Sequence, residues 1–171
     1  MDAFVSVLQP IETAQGLPNS CYTDPVMFQI EKKQIFASDW AAIGFGFDVL
    51  VPGCVCPVNF LGIPLVVVRG RSGNIKVFEN VCRHRGMILV EEAKRLKSPI
   101  TCPYHAWAYD FECRLRATPH IVGPDIHEHH SVNCTAFYLN EIPSAIWRDV
   151  IYVNLSRKAP VQGKSSRAPN Q

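Results

Sequence analysis

The spacing of apolar residues changes character at Trp40. Before it, DPVMFQIEKKQIFASDW opens with Asp24, whose carboxylate suits a helix N-cap, and Pro25, which suits the first helical position. Phe28, Glu31, Ile35 and Phe36 then recur at helical spacing, which predicts one short amphipathic helix over roughly 25–37. After Trp40 the apolar runs are short and broken by glycine and proline. AAIGF, CVCPVNFLG, IPLVVVRG and NIKVFENV read as strands, and RGRSGN at 69–74 as a hairpin connection with Ser-Gly turn chemistry. PITCP, AWAYDF, TAFYLNEI and WRDVIYVNL add further β-rich runs. The expected fold is mainly β with one short N-terminal helix. Residues 1–20 show no strong periodicity. From Lys158 the chain reads KAPVQGKSSRAPNQ, with no large apolar residue after Val161, so 158–171 is expected to be a disordered tail.

Composition narrows the class. At 171 residues, with 47% apolar and 19% charged residues, the chain can bury one core. A formal charge of +2 with dispersed lysines and arginines argues against a nucleic-acid partner. MDAFVSVLQPIETAQ lacks a basic n-region and carries Asp2 and Glu12, unlike a signal peptide. No apolar run reaches membrane-spanning length, so no membrane partner and a cytoplasmic location are expected. Seven cysteines, an odd number at irregular spacing, do not read as a secreted disulfide framework. In a reducing compartment, clustered Cys and His point to metal.

That cluster consists of Cys82 and His84 in CRHRG and, after 17 intervening residues, Cys102 and His105 in TCPYHAWAY. Two Cys and two His would satisfy tetrahedral zinc, but structural zinc sites usually take a Cys pair from one segment and a His pair from another. Here each segment offers one sulfur and one nitrogen. Alternation suits a binuclear cluster in which both cysteines bind one iron and both histidines the other. Two ferric ions, two sulfides and two thiolates sum to zero charge, whereas four thiolates leave minus two. The imidazole-ligated form therefore accepts an electron more easily, at roughly −150 to +300 mV against about −400 mV.

Cys82-Arg83-His84-Arg85-Gly86 with Cys102-Pro103-Tyr104-His105 and Trp107 resembles the Rieske [2Fe-2S] signature. CYTDP with its helix, NVCRHRG, LRATPH and VIYVNL extend the likeness, over roughly Cys21 to Leu155, to the N-terminal part of Rieske non-haem iron, aromatic-ring-hydroxylating oxygenase α subunits. The resemblance implies a Rieske-type fold of stacked antiparallel sheets. It also implies one [2Fe-2S] cluster per chain on Cys82, His84, Cys102 and His105. It divides the chain into an N-terminal segment (1–20), a helical lead-in (21–39), the Rieske domain (40–157) and the tail. The implied function is electron transfer from an NAD(P)H-dependent reductase or a ferredoxin to a mononuclear Fe(II) in the catalytic domain of a neighbouring subunit, in a trimer. That iron's two-histidine, one-carboxylate triad lies beyond the Rieske domain in the family, so no catalytic residue is expected in this chain and oxygenase chemistry is not expected of it alone. A free-standing Rieske ferredoxin and a zinc-bound interaction module are the alternatives.

Respiratory Rieske proteins resemble the chain less, because they carry two further, disulfide-linked cysteines where Met87 and Tyr104 stand here. Trp107 also replaces a hydroxyl side chain that donates to the cluster in that type, so the lower part of the potential range is expected. Ala106 stands where glycine is usual in the oxygenases. His120, His127, His129 and His130 do not match the triad spacing and read as a polar connecting loop. Cys54 and Cys56 share one face of a strand as small hydrophobes, and Cys21, Cys113 and Cys134 are expected to be unpaired. Arg83 and Arg85 fit either steering of an acidic partner or plain solvation, and Tyr109 either a hydrogen bond to a sulfur or packing.

Overall fold

A computed structural model of the chain describes residues 4–119, 121, 123 and 133–158. The N-terminal region holds a single turn, α1 (Ser20–Thr23), and a helix, α2 (Pro25–Glu31), that widens into a π-helical turn over Lys32–Phe36. The expected cap is present, with the Asp24 carboxylate accepting from the Val26 amide at 2.8 Å. The helix is where its spacing predicts, but it does not lay an apolar face on the domain. No residue of it is buried, and Val26, Phe28, Ile30 and Ile35 are exposed. Met27, Ile30 and Ile35 line a surface groove together with Phe4, Leu17 and Cys21.

The rest is three antiparallel sheets. The first has the order β1 (Trp40–Phe45), β11 (Val150–Asn154), β10 (Ser144–Trp147). The second has the order β5 (Lys94–Arg95), β2 (Cys54–Phe60), β3 (Ile63–Arg69), β4 (Ile75–Glu79), β9 (Glu141–Ile142). The third is β6 (Ile100–Thr101), β7 (Ala108–Tyr109), β8 (Leu115–Ala117). The five-stranded sheet is the middle layer. Leu65, Val67 and Val77 face Val49, Ile151 and Val153 on one side, while Val66, Val68 and Phe78 face Ile100, Tyr109 and Leu115 on the other. A strand buried on both faces needs apolar residues at every position, which is why the uninterrupted LVVV run belongs to central β3.

Two expected strands differ. TAFYLNEI folds mainly as a 3-10 turn over Cys134–Phe137, capped by the Asn133 side chain on the Thr135 amide, and only Glu141–Ile142 joins a sheet. The turn carries Phe137 and buried Leu139 toward the third sheet, a gain that extended backbone would forgo. WRDVIYVNL is not one strand but the end of β10, a tight turn at Arg148-Asp149 with φ 48° and 69°, and β11. Cys54 and Cys56 lie half-buried on β2 against the core, as their spacing predicts. On the outer face of the first sheet, Phe45 and Trp147 flank Val150 and are each 54% exposed. No helix among the described residues is long and apolar enough to cross a membrane. Residues 159–171 of the expected tail, and His120, His127, His129 and His130, lie outside the described residues.

Candidate metal centre

The four predicted donors converge on one end of the third layer. Cys82 and His84 sit in the loop after β4, Cys102 and His105 in the loop between β6 and β7. The two loops share one backbone frame. In the first, the Gly86 amide donates to the Cys82 carbonyl at 3.0 Å and the Cys82 amide to the Met87 carbonyl at 2.8 Å. In the second, the Ala106 amide donates to the Cys102 carbonyl at 3.0 Å and the Cys102 amide to the Trp107 carbonyl at 2.8 Å. Each frame closes through a left-handed residue, Gly86 at φ 72° and Ala106 at φ 56°. Glycine adopts that conformation freely and alanine does so under strain.

What anchors the frames differs. The second loop closes on the β6–β7 ladder, Ile100 against Tyr109 and Thr101 against Ala108. The first has only a single bridge, Val81 against Ile88, and buried Asn80 supplies the rest. Its side-chain amide donates to the Val90 carbonyl at 2.6 Å and accepts from the Val90 amide at 3.0 Å, so one side chain stands in for a ladder rung. Asn80 carries no ligand chemistry, and sequence reasoning overlooked it; the available signal was an asparagine directly after the apolar run of β4 and two residues before Cys82.

Both cysteines are buried, and the imidazoles are half-buried with ring centroids 4.8 Å apart. Nδ1 of His84 and Nδ1 of His105 are buried without a hydrogen-bond partner. Such orphans are costly unless something outside the polypeptide satisfies them. The set fits the implied cluster: two unpartnered imidazole nitrogens beside two buried free thiols. Burial, then His105 and Arg85, holds the His84 imidazole below its ordinary pKa, which keeps it in the neutral form a metal requires. Burial pushes the Cys82 thiol up, opposed by hydrogen bonds from the Tyr109 hydroxyl and the His84 amide. The Tyr109 oxygen is 3.3 Å from Cys82 Sγ and accepts from the Arg83 amide at 3.1 Å, which leaves its proton to donate to sulfur. Burial raises the Tyr109 pKa, so the phenol stays protonated. Of the two readings of Tyr109, hydrogen bonding to the sulfur is therefore observed, with full burial of the ring as well. A surface cavity of about 470 Å³ opens at this end, lined by His84, Arg85, Tyr104, His105 and Trp107 among others. Arg83 and Arg85 are exposed beside it and make no ion pair among the described residues. Cys21, Cys54, Cys56, Cys113 and Cys134 are all free thiols, and none of them lines this cavity.

A family model described as "Rieske [2Fe-2S] domain" matches residues 39–149. The chain belongs to the Rieske [2Fe-2S] domain family. The cofactor of this domain is a [2Fe-2S] cluster, and oxygenase relatives add a mononuclear iron in a catalytic domain. The chain is similar to the glycine betaine monooxygenase oxygenase subunit of Chromohalobacter salexigens, 36% identical over 124 residues, which cover 72% of this chain and 28% of that protein. It is also similar to the chlorobenzene dioxygenase subunit alpha of a Cupriavidus species, 40% identical over 99 residues, 57% of this chain and 22% of that one. A solved quaternary ammonium Rieske monooxygenase superposes with a TM-score of 0.71 at 26% identity, covering 84% of this chain and 38% of the other. The Rieske-type fold of antiparallel sheets is thus shared, and this chain spans under a third of the length of these curated relatives.

Proposed function

We propose that Cys82 and Cys102 bind one iron of the cluster, that Nδ1 of His84 and Nδ1 of His105 bind the other, and that the chain is the electron-transfer domain of an oxygenase α subunit. The observation that carries this reading is the pair of buried, unpartnered Nδ1 atoms beside two buried thiols on matching loop frames. When bound, the cluster supplies a one-electron centre at roughly −150 to +300 mV. The polypeptide does the rest. The Tyr109 hydroxyl, oriented by the Arg83 amide, stabilises charge on the Cys82 sulfur. Trp107, only 3% exposed, keeps water from one side of His84, while the half-buried His105 edge and exposed Tyr104 leave a route to the surface.

In this reading electrons arrive from an NAD(P)H-dependent reductase or a ferredoxin in the cytoplasm, with Arg83 and Arg85 meeting an acidic donor. They leave for a mononuclear iron in the catalytic domain of a neighbouring subunit, as in a trimer. In the same reading residues 1–20 are an N-terminal segment, 21–39 a helical lead-in, 40–157 the domain and 158–171 the tail. The exposed apolar side chains of α2 and of the outer sheet face favour packing against more protein over a free-standing carrier. No residue of this chain is assigned a catalytic role.

Metal and sulfide analysis tests the assignment. Two irons and two acid-labile sulfides per chain, with a rhombic EPR signal on reduction, are expected; one zinc per chain overturns it. A midpoint potential well above about +100 mV overturns the low-potential expectation. Rapid electron exchange between a reductase and a separate oxygenase would favour the ferredoxin alternative.

A further inference from the structure

The two histidines are not equivalently held. The indole of Trp107, which belongs to the second loop, lies flat against the His84 ring of the first, with centroids 4.5 Å apart and planes 6° from parallel. Phe137 meets Trp107 edge-on at 5.5 Å and 88°, so the indole is braced from the side of the 3-10 turn. His105 has a different neighbour. Tyr104 is tilted 37° to it at 3.8 Å and is itself 58% exposed. The residue in the first loop that corresponds to Trp107 by backbone frame is Met87, which is exposed and has no ring to stack with.

We infer that Trp107, braced by Phe137, is a positioning residue that sets the ring plane of His84 and makes the two imidazole donors inequivalent, His84 held and His105 free to tilt. This rests on the metal-ligand reading above. The physical reason is that an imidazole bound through one nitrogen can still rotate about its metal–nitrogen axis. A buried indole parallel to the ring removes that freedom, and an exposed phenol at a tilt does not. Each loop thus supports the other's function: the second loop's backbone presents His105 while its indole orients His84.

Pulsed EPR of the reduced, cluster-loaded protein reads the two nitrogen-14 couplings separately, with iron and sulfide content measured on the same samples. In Trp107→Leu one coupling is expected to shift and broaden while the other stays, and iron is lost to a chelator about tenfold faster. Tyr104→Ala is expected to leave both couplings in place, since the exposed phenol does not restrain His105. Phe137→Leu keeps both stacked rings and removes only the brace, so it decides the matter if Trp107→Leu fails to load: the same single coupling should broaden, to a smaller extent. Unchanged couplings in Trp107→Leu and Phe137→Leu overturn the inference, as do equal changes in both couplings or either coupling responding to Tyr104→Ala. A wild-type protein without two nitrogen ligands overturns the ligand reading itself, which keeps the two failures distinct.

Discussion

The loop after β4 and the loop between β6 and β7 reach the same backbone frame from different sequences. Both fold a cysteine amide onto the carbonyl five residues on and close through a left-handed residue. Yet histidine stands two residues after Cys82 and three after Cys102, one loop ends on exposed Met87 and the other on buried Trp107, and one is clamped by a side chain, the other by a ladder. Similar frames put two sulfurs at one depth. The offset histidines then bring two rings from opposite loops together, with centroids 4.8 Å apart. Backbone hydrogen bonding sets the frame, and side chains set what each frame presents.

The largest effect comes from removing a donor. Cys82→Ala and Cys102→Ala should each abolish cluster content, and so should His84→Ala and His105→Ala. Full loading of any one of the four, measured as iron and sulfide, would break the idea that the loops contribute equally. The clamps come next. Asn80→Ala leaves the Val90 amide and carbonyl without their partner in a buried place, and should cost about 2–3 kcal/mol in thermal or denaturant unfolding. Among the described residues no such single side chain underlies the second loop.

The nearest counterpart there is Asp110, at the far end of β7. Burial alone would raise its pKa, but the Arg114 amide, the Arg116 guanidinium, the Glu112 amide and the Arg114 guanidinium bring the carboxyl below its ordinary value. Asp110→Asn should cost about 1–2 kcal/mol at neutral pH, since it weakens charge-assisted hydrogen bonds to partly exposed arginines. Because the folded pKa is depressed, this stability is complete above the unfolded carboxyl value of about 3.9 and is lost as pH falls through the folded one. Wild type and Asp110→Asn should therefore converge in stability below about pH 4. A constant difference across that range would show that the carboxylate's charge is not what matters.

Tyr109→Phe removes the hydrogen bond to Cys82 Sγ from the first loop's sulfur alone. It should lower the midpoint potential by tens of millivolts, because the reduced, more negative state loses the donor; an unchanged potential in a redox titration would reduce Tyr109 to packing. The smallest effects distinguish the frames themselves. A Cβ at Gly86 meets nothing within 4 Å, so Gly86→Ala should cost only the left-handed strain, about 1 kcal/mol. Ala106→Gly should stabilise by about half that, since glycine's greater freedom when unfolded offsets part of the relief.

Much of this was legible before folding. Asp24-Pro25 marked the helix start, period and punctuation marked β1 to β4, and CRHRG with CPYH marked the candidate donors. What escaped has physical causes. TAFYLNEI has strand propensity, but the contacts of Phe137 and Leu139 outweigh it. WRDVIYVNL hides a turn because Arg-Asp is an uncommon pair at two left-handed positions. The helix has an amphipathic pattern whose apolar side chains remain exposed, and no local pattern records which surface a helix will meet.

The sequence by itself determined the types and spacing of the candidate donors and the β character, because these depend on residue chemistry within a few positions. Tertiary structure alone decided that the five-stranded sheet lies in the middle, that Asn80 replaces a ladder rung, and that the indole of one loop stacks on the imidazole of the other. Those are contacts between segments distant along the chain, and they are selected by how the layers pack rather than by any segment's own preference.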